Sequence, residues 1–393
     1  MILTQKQEEG LKLALEKHKN NEKYVVISGY AGTGKSTLVK FIIEALDVEL
    51  DKVAYACYTG KAAEVLRKKG NPNAMTLHRL LYYNRPRPGG GFFRIPKSSL
   101  GYSIVVVDEV SMVPKTMIDM LLKHKVFIIF LGDPFQLPQI DKNETHTLLD
   151  KPDIFLDEIM RQEAESEIIQ LTMKIRNFEP IENFEGKEVI VGSKYDLMTG
   201  HLKWADQIIT ATNATRVSLN NQMRDILGFS GLPKSGEKMI CLQNYWDDIS
   251  DDGEGVLVNG MTGTIINPFE SYRMAPSYVK MKNHKMPLII GDFISDEGKT
   301  YSSIDMDKNM IVQGQPFLDW RETYALGKLK PRLGDLTPRQ FTYGYAVTCH
   351  KAQGSSWPKV LVIEENFPFD KMEHARWLYT ACTRPEQKLV LLR

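Results

Sequence analysis

The segment Gly29-Tyr30-Ala31-Gly32-Thr33-Gly34-Lys35-Ser36 constrains this chain more than any other. It follows a short apolar run, Tyr24–Ser28, and leads into helical spacing over Ser36–Leu46. A G-x-x-x-x-G-K-[ST] stretch between a strand and a helix is a phosphate-binding loop. Its glycines let backbone N–H groups turn onto phosphate oxygens, and the helix N-terminus adds the positive end of its dipole. In that geometry Lys35 reaches the β- and γ-phosphates, and the Ser36 hydroxyl ligates Mg²⁺. Gly29, Gly32, Thr33, Gly34, Lys35, Ser36 and Thr37 are the expected nucleotide contacts.

The surrounding rhythm supports a layered α/β domain. Val53–Tyr58, Ile104–Val107 and Val126–Leu131 are compact apolar runs rich in branched residues, alternating with helical spacing at Leu11–His18 and Ala62–Lys69. Such runs suit parallel strands buried on both faces. The second run ends in Asp108-Glu109, which brings two carboxylates to the sheet edge where ligands bind. An acidic pair after a strand is commonly just a solvated turn. Here it follows Lys35 by 73 residues in one α/β pattern. Asp108 is expected in the Mg²⁺ shell, with Glu109 positioning and deprotonating the attacking water. Gln136, in Gly132-Asp133-Pro134-Phe135-Gln136-Leu137-Pro138, can sense a γ-phosphate by hydrogen bonding without adding charge.

Composition sets the outer limits. The chain has 393 residues, 42% hydrophobic and 25% charged, which excludes global disorder and a fibrous chain. Four cysteines without a CxxC pair suit a reducing compartment. No apolar run reaches the roughly 20 residues of a membrane span, and the polar Thr4–Glu9 argues against a signal peptide. The expected location is cytoplasmic. Net charge is +1, yet Lys61–Leu100 carries nine basic residues and one acid, interleaved with Tyr82, Tyr83, Phe92 and Phe93. Basic charge with aromatic rings suits salt-sensitive binding and stacking of a single strand. The breaker run Arg85–Gly91 marks an excursion from the sheet, and the acidic Asp247–Glu254 reads as a solvated loop. A second α/β stretch begins at Gln207–Ala211 and resumes at Val360–Glu364 and Leu389–Leu392. Between them, Thr264–Ile266, Leu288–Ile290 and Met310–Val312 read as strands of a small β insertion.

Further segments, in order, resemble the motifs of superfamily 1B helicases of the RecD-like group, Dda-like helicases among them. Leu3-Thr4-Gln5-Lys6-Gln7 resembles an adenine-reading segment with Gln7 in the reading position. Ala56–Ala63, Thr76-Leu77-His78, Asp108–Met112, Gly132–Pro138, Ile159-Met160-Arg161-Gln162, Val347–Ser355 and Leu378–Arg384 resemble successive family motifs. Two departures stand out: Cys57-Tyr58-Thr59 where the family has Ala-Pro-Thr, and Pro385 after Arg384, which puts the aim of that arginine in doubt.

The resemblance implies an α/β fold of two RecA-like P-loop domains with parallel sheets, a β-hairpin pin and a small SH3-like β domain. Expected bounds are 1–160 for the first domain, with the pin at about 82–100. The second domain takes 161–263 and 341–393, and the SH3-like insertion 264–340. ATP would lie between the RecA-like domains, with Arg161 and Arg384 stabilising the transferring phosphoryl group. The pin would lie within Arg87–Lys97, with Phe92 or Phe93 as wedge. Thr59, Gly60, Lys61, Thr76, His78, Thr348, His350 and Lys351 match positions along the single-strand path. The implied activity is ATP- and Mg²⁺-dependent 5′-to-3′ unwinding of DNA in replication, repair or recombination. The implied enzyme is a monomer acting on single-stranded and forked DNA, with single-strand-binding or replication proteins as partners. A translocase that strips proteins from DNA, or an ATP-gated nucleic-acid clamp, remains an alternative.

Overall fold

The computed structural model describes residues 3–86, 92–138, 144–160, 164–253, 255–333 and 335–393. They separate into two compact units. One comprises Met1–Tyr82, Pro96–Thr212 and Thr348–Arg393, the other Tyr83–Ile95 and Asn213–Val347.

The first unit is built on two largely parallel sheets. In the N-terminal sheet the strands lie in the order Ala74–Thr76, Val53–Cys57, Ile104–Val107, Phe127–Gly132, Tyr24–Gly29 and Ile154–Leu156, all parallel. Alternate residues of each strand feed opposite cores. Val105, Val107, Ile128 and Phe130 pack with Leu77, Leu80, Leu81, Met117, Ile118 and Leu121. Ile104, Val106, Ile129 and Leu131 pack with Ala14, Leu38, Val39, Ile42 and Ile43. A strand such as Ile104–Val107 therefore needs apolar side chains at every position, which is why it reads as an unbroken run. Parallel order also sends every strand's C-terminal end to one edge, where Gly29, Cys57, Val107 and Gly132 all stop. The second sheet runs Gln207–Thr210, Trp357–Ile363, Pro385–Leu392 and Val189–Gly192 in parallel, with Phe184–Glu185 antiparallel at the edge.

The second unit centres on an antiparallel sheet in the order Thr300–Asp307, Lys285–Ser295, Thr262–Met274, Lys238–Cys241 and Phe341–Tyr343. Its first three strands form a meander around Phe293, Tyr301, Phe341 and Ile265. The expected insertion, 264–340, trims this sheet. Lys238–Cys241 pairs with Thr262–Thr264 on one side and Phe341–Tyr343 on the other, so both flanks belong to it. Short apolar strands carry no mark of pairing direction, so the sequence could not separate them from the parallel sheet.

Two further expectations are corrected. Met310–Val312 is not a strand but part of the helix Lys308–Gln313. Asp307 caps that helix by accepting from the Asn309 and Met310 amides at 2.9 and 3.2 Å. A three-residue apolar run fits either period, and the cap decides. The acidic stretch is not simply a solvated loop. Tyr245–Ile249 is a strand, Asp247 pairs with Lys330 at 2.5 Å, and Asp248 holds both Nε and Nη2 of Arg339. Asp252 lies beside Lys299, while Glu254 falls outside the described residues.

Tyr82–Pro86 and Phe92–Pro96 pair as a two-stranded sheet, starting five residues ahead of the expected Arg87. The turn 87–91 lies outside the described residues. All four cysteines are free and buried, and among the described residues no helix is long and apolar enough to cross a membrane.

Candidate nucleotide and nucleic-acid site

The phosphate loop leaves the strand Tyr24–Gly29 and enters the helix Lys35–Ala45. Gly34 caps that helix at φ +78°, a left-handed conformation that glycine adopts at little cost. A Cβ on Gly29 would lie 2.6 Å from the Leu156 carbonyl oxygen, so the loop can pass there only without a side chain. Lys35 Nζ donates to the carbonyls of Gly29 and Tyr30 at 2.7 and 2.8 Å, folding back over the loop. Burial lowers its pKa, opposed by the carboxylates of Asp133, Asp108 and Glu109. Ser36 is exposed and Thr37 half-buried in the helix's first turn.

Gln7 sits against this loop, buried, with both ends of its amide engaged. Its Oε1 accepts from the Thr4 amide at 3.0 Å, and its Nε2 donates to Thr33 O at 3.3 Å. The same residue closes the capping box of Gln5–Lys19. In this structure, then, it ties the first helix to the loop.

Asp108 and Glu109 follow Val107 at the sheet edge. Asp108 Oδ1 accepts from the Glu109 amide at 2.8 Å, and Glu109 adopts φ +50°. That conformation is uncommon for a residue with a side chain and stores backbone strain. Burial raises the pKa of both carboxyls. For Asp108 the opposing influences are the Glu109 amide and Lys35; for Glu109 they are chiefly Arg384. Glu109 Oε1 lies 3.5 Å from Arg384 Nη1, while Oε2 is buried without a hydrogen-bond partner. A Cβ on Gly354 would stand 2.6 Å from Thr59 Oγ1 and 3.3 Å from Glu109 Oε2, so three expected motifs meet at one point.

Arg384 is buried, donating from Nε to Thr380 O at 3.0 Å and from Nη2 to Thr383 Oγ1 at 3.0 Å. Pro385, directly after it, opens the last strand. Arg161 lies outside the described residues. Met160 donates its amide to Gly32 O of the phosphate loop at 2.9 Å.

The loop Gly132–Pro138 is fastened to the second sheet's elements. Tyr379 OH donates to Asp133 Oδ2 at 2.6 Å and accepts from the Ala31 amide at 2.9 Å. The Leu137 amide donates to Thr380 Oγ1 at 2.9 Å, and Gln353 Nε2 donates to Leu137 O at 2.7 Å. Gln136 is half-buried on this loop, its amide donating to Asp133 O at 3.3 Å. Sequence reasoning quoted Tyr379, Thr380 and Gln353 within motifs but gave them no role. It passed over Arg176, whose guanidinium stacks 3.7 Å from the centre of the Tyr30 ring. The signal available for Tyr379 was its place on the helix that delivers Arg384.

The expected strand contacts recur as helix starts. Thr59 Oγ1 accepts from the Ala62 amide, capping Gly60–Lys68, and Thr76 Oγ1 accepts from the Arg79 amide. Thr348 precedes the turn Cys349–Ala352, which carries His350 and Lys351, both half-buried. His78 stacks on Tyr82 with ring centres 6.3 Å apart, and Lys61 Nζ stands 5.2 Å over the Trp357 ring. Phe92 and Phe93 begin the second strand of the two-stranded sheet.

The donor set suits a hard divalent cation: an exposed hydroxyl at Ser36 and a carboxylate at Asp108. Among the described residues no cluster of three or more His, Cys, Asp or Glu side chains could hold a metal.

Comparison with known proteins agrees with this layout. An AAA-domain model matches residues 3–188, and a UvrD-like helicase C-terminal domain model matches residues 343–392. The ATP-dependent RecD2 DNA helicase of Deinococcus radiodurans is 27% identical over 388 residues, covering 93% of this chain and 46% of that one. This chain thus spans about half the length of that relative. Uncharacterized protein R530 of Acanthamoeba polyphaga mimivirus is 30% identical over 482 residues, covering 95% of this chain and 96% of that one. The Dda helicase of phage T4 matches only in part, at 30% over 149 residues, 36% of this chain and 34% of its own. The Bacteroides Pif1 helicase, solved with ADP-AlF3 and single-stranded DNA, shares the fold. Its TM-score is 0.52 at 18% identity, covering 100% of this chain and 92% of that one. The chain belongs to the RecD-like helicases of superfamily 1B.

Proposed function

We propose that this chain is an ATP-driven helicase that moves 5′-to-3′ along single-stranded DNA and opens duplex ahead of it. The observation that carries this is the Arg384–Glu109 approach at 3.5 Å. A cation in the turn between the helix Lys371–Cys382 and the last strand meets the carboxylate at the edge of the first sheet, which is the arrangement a γ-phosphoryl site needs. RecD2 bears the name of an ATP-dependent DNA helicase, and Pif1 relatives have been solved on single-stranded and forked DNA.

Residues 1–160 act as the first motor domain, carrying the pin at about 82–100. Residues 161–237 and 344–393 act as the second, and the antiparallel sheet, from Lys238 to Tyr343, serves as the SH3-like domain. Lys35 leaves its two carbonyls for the β- and γ-phosphates of ATP. Ser36 and Asp108 hold Mg²⁺, which when bound neutralises developing phosphate charge. Glu109 orients water and takes its proton, and Gln136 senses the γ-phosphate. Arg384, with Arg161, stabilises charge on the transferred group. Gln7 serves the adenine end by holding the loop. Thr59, Gly60, Lys61, Thr76, His78, Thr348, His350 and Lys351 grip the strand backbone without reading sequence. Phe92 or Phe93 splits the duplex. The enzyme works as a monomer, with single-strand-binding or replication proteins as partners.

The test is steady-state ATP hydrolysis alone, with single-stranded DNA and with RNA, followed by unwinding of duplexes tailed at either end. The expected result is strong stimulation by DNA and unwinding only from a 5′ tail. Hydrolysis indifferent to nucleic acid would overturn the motor and leave a nucleotide-gated clamp.

A further inference from the structure

Arg216 lies in the first turn of the 14-residue helix Asn213–Ile226 and is 7% exposed. Its Nε is buried without a hydrogen-bond partner. Among the described residues no carboxylate, carbonyl or ring engages its guanidinium. Burial alone pushes its pKa down, with no neighbouring charge acting on it. A guanidinium does not give up its proton in a protein, so it cannot escape this position by neutralising.

The same helix shows what a satisfied buried arginine looks like. Arg224 is 8% exposed, yet its Nε and Nη2 donate to the two carboxylate oxygens of Glu237 at 2.6 and 3.1 Å. Its remaining donors reach the carbonyls of Gly231 and Leu232, and its plane stacks on Tyr343. All three nitrogens of the planar fork donate there, in four hydrogen bonds. At Arg216 the Nε is buried and unused, and leaving a buried cationic donor unpaired is costly. The missing partner is an anion, and a planar fork fits two oxygens of a phosphate. The helix N-terminus adds the positive end of its dipole at the same turn.

The chain around Arg216 indicates which phosphate. One helical turn on, Asn220 clamps the backbone of Ala346, donating to its carbonyl at 3.0 Å and accepting from its amide at 2.9 Å. Ala346 stands two residues before Thr348 and four before His350, both assigned above to the strand backbone. An oligonucleotide offers a row of such anions, whereas the ATP loop belongs to a different part of the chain.

We propose that Arg216 binds a backbone phosphate of the single strand on which the motor moves. The proposal rests on the helicase reading and adds to it a contact that no motif announces.

The test uses the full chain and three variants. Arg216→Met keeps the length of the side chain and removes its charge, Arg216→Lys restores a cation, and Arg224→Met serves as the structural contrast. Binding of a fluorescein-labelled oligothymidylate is measured across a salt series, alongside thermal unfolding without ligand. Arg216→Met is expected to weaken binding about tenfold and to reduce the slope of log K against log salt by about one. Arg216→Lys should recover part of both. Unfolding of ligand-free Arg216→Met should move to higher temperature, because an apolar chain replaces an uncompensated buried charge. Arg224→Met should move it lower. A fall in melting temperature for Arg216→Met with affinity and salt slope unchanged would overturn the proposal and make the residue structural. Loss of stabilisation by inorganic phosphate or ATP, with oligothymidylate binding retained, would overturn the strand assignment. Failure of the wild type itself to bind oligothymidylate would bring down the helicase reading too.

Discussion

The edge of the first sheet and the antiparallel unit spend their charges differently. At the sheet edge Lys35, Asp108 and Glu109 are crowded together, with only backbone carbonyls, one amide and a 3.5 Å contact to Arg384 among them. Glu109 keeps one oxygen buried and unpartnered on a strained backbone. In the antiparallel unit, Arg339 is closed onto Asp248 by two hydrogen bonds with Asp335 at 3.4 Å, and Arg224 is closed onto Glu237. The first arrangement is under-satisfied and ready to take a highly charged ligand. The second is complete without one. Arg216 is the exception that gives the antiparallel unit a candidate ligand contact of its own.

The sharpest break of this comparison is at the phosphate loop. Lys35→Ala should reduce ATP turnover by about a thousandfold or more, and Glu109→Gln should reduce it similarly while nucleotide still binds. Turnover rates and binding of a fluorescent nucleotide check both, and normal turnover in either variant would remove the site. In the antiparallel unit the largest effect should appear in stability instead. Arg339→Met leaves the half-buried Asp248 without its cation, while Asp335 keeps Lys330 at 3.0 Å, and should cost about 2 kcal/mol in denaturant unfolding. No loss there would mean that the pairs are as dispensable as surface ones.

A smaller effect sharpens the picture where elements of the two sheets of the first unit meet. Tyr379→Phe removes a hydroxyl that joins the Ala31 amide to Asp133. We expect kcat to fall about tenfold with KM nearly unchanged, as when a charge-assisted hydrogen bond acting through positioning is lost. A rise in KM alone would assign Tyr379 to nucleotide binding. The smallest effect is acid sensitivity. Burial pushes the Asp335 carboxyl up, but Arg339, Thr337 and Lys330 outweigh it and hold its pKa below the usual value. A depressed carboxylate stabilises the fold above its unfolded pKa of about 3.9 and loses that contribution as pH falls below it. Asp335→Asn should therefore flatten the acid limb of stability against pH, and an unchanged limb would discount the pair.

Legibility tracked the kind of burial. Ile104–Val107 is enclosed on both faces, so four apolar letters in a row announced a parallel strand, and the carboxylates after it followed from that placement. Thr262–Met274 alternates between buried and exposed as it leaves the core, and the sequence showed only three of its thirteen residues as a strand. Met310–Val312 was misread because a single capping aspartate outweighed a β-branched run. Gln7 was singled out by motif as an adenine reader, while its partners in this structure, Thr4 and Thr33, are visible only in the fold. The Dda likeness, drawn from motifs, proved partial, and the RecD2 and R530 matches cover far more of the chain.

By itself the sequence determined the phosphate loop, the acidic strand end and the two-sheet α/β plan, because each depends on local spacing and on apolar runs read along the chain. Tertiary structure alone decided which distant groups meet. It brought Arg384 to Glu109, Tyr379 to Ala31 and Asp133, and Gly354 between Thr59 and Glu109. It also left Arg216 buried without a counter-charge. Hydrogen bonds and ion pairs act over a few ångströms in space, whatever the separation along the chain, so no spacing rule foretells which donors find partners and which are left for a ligand.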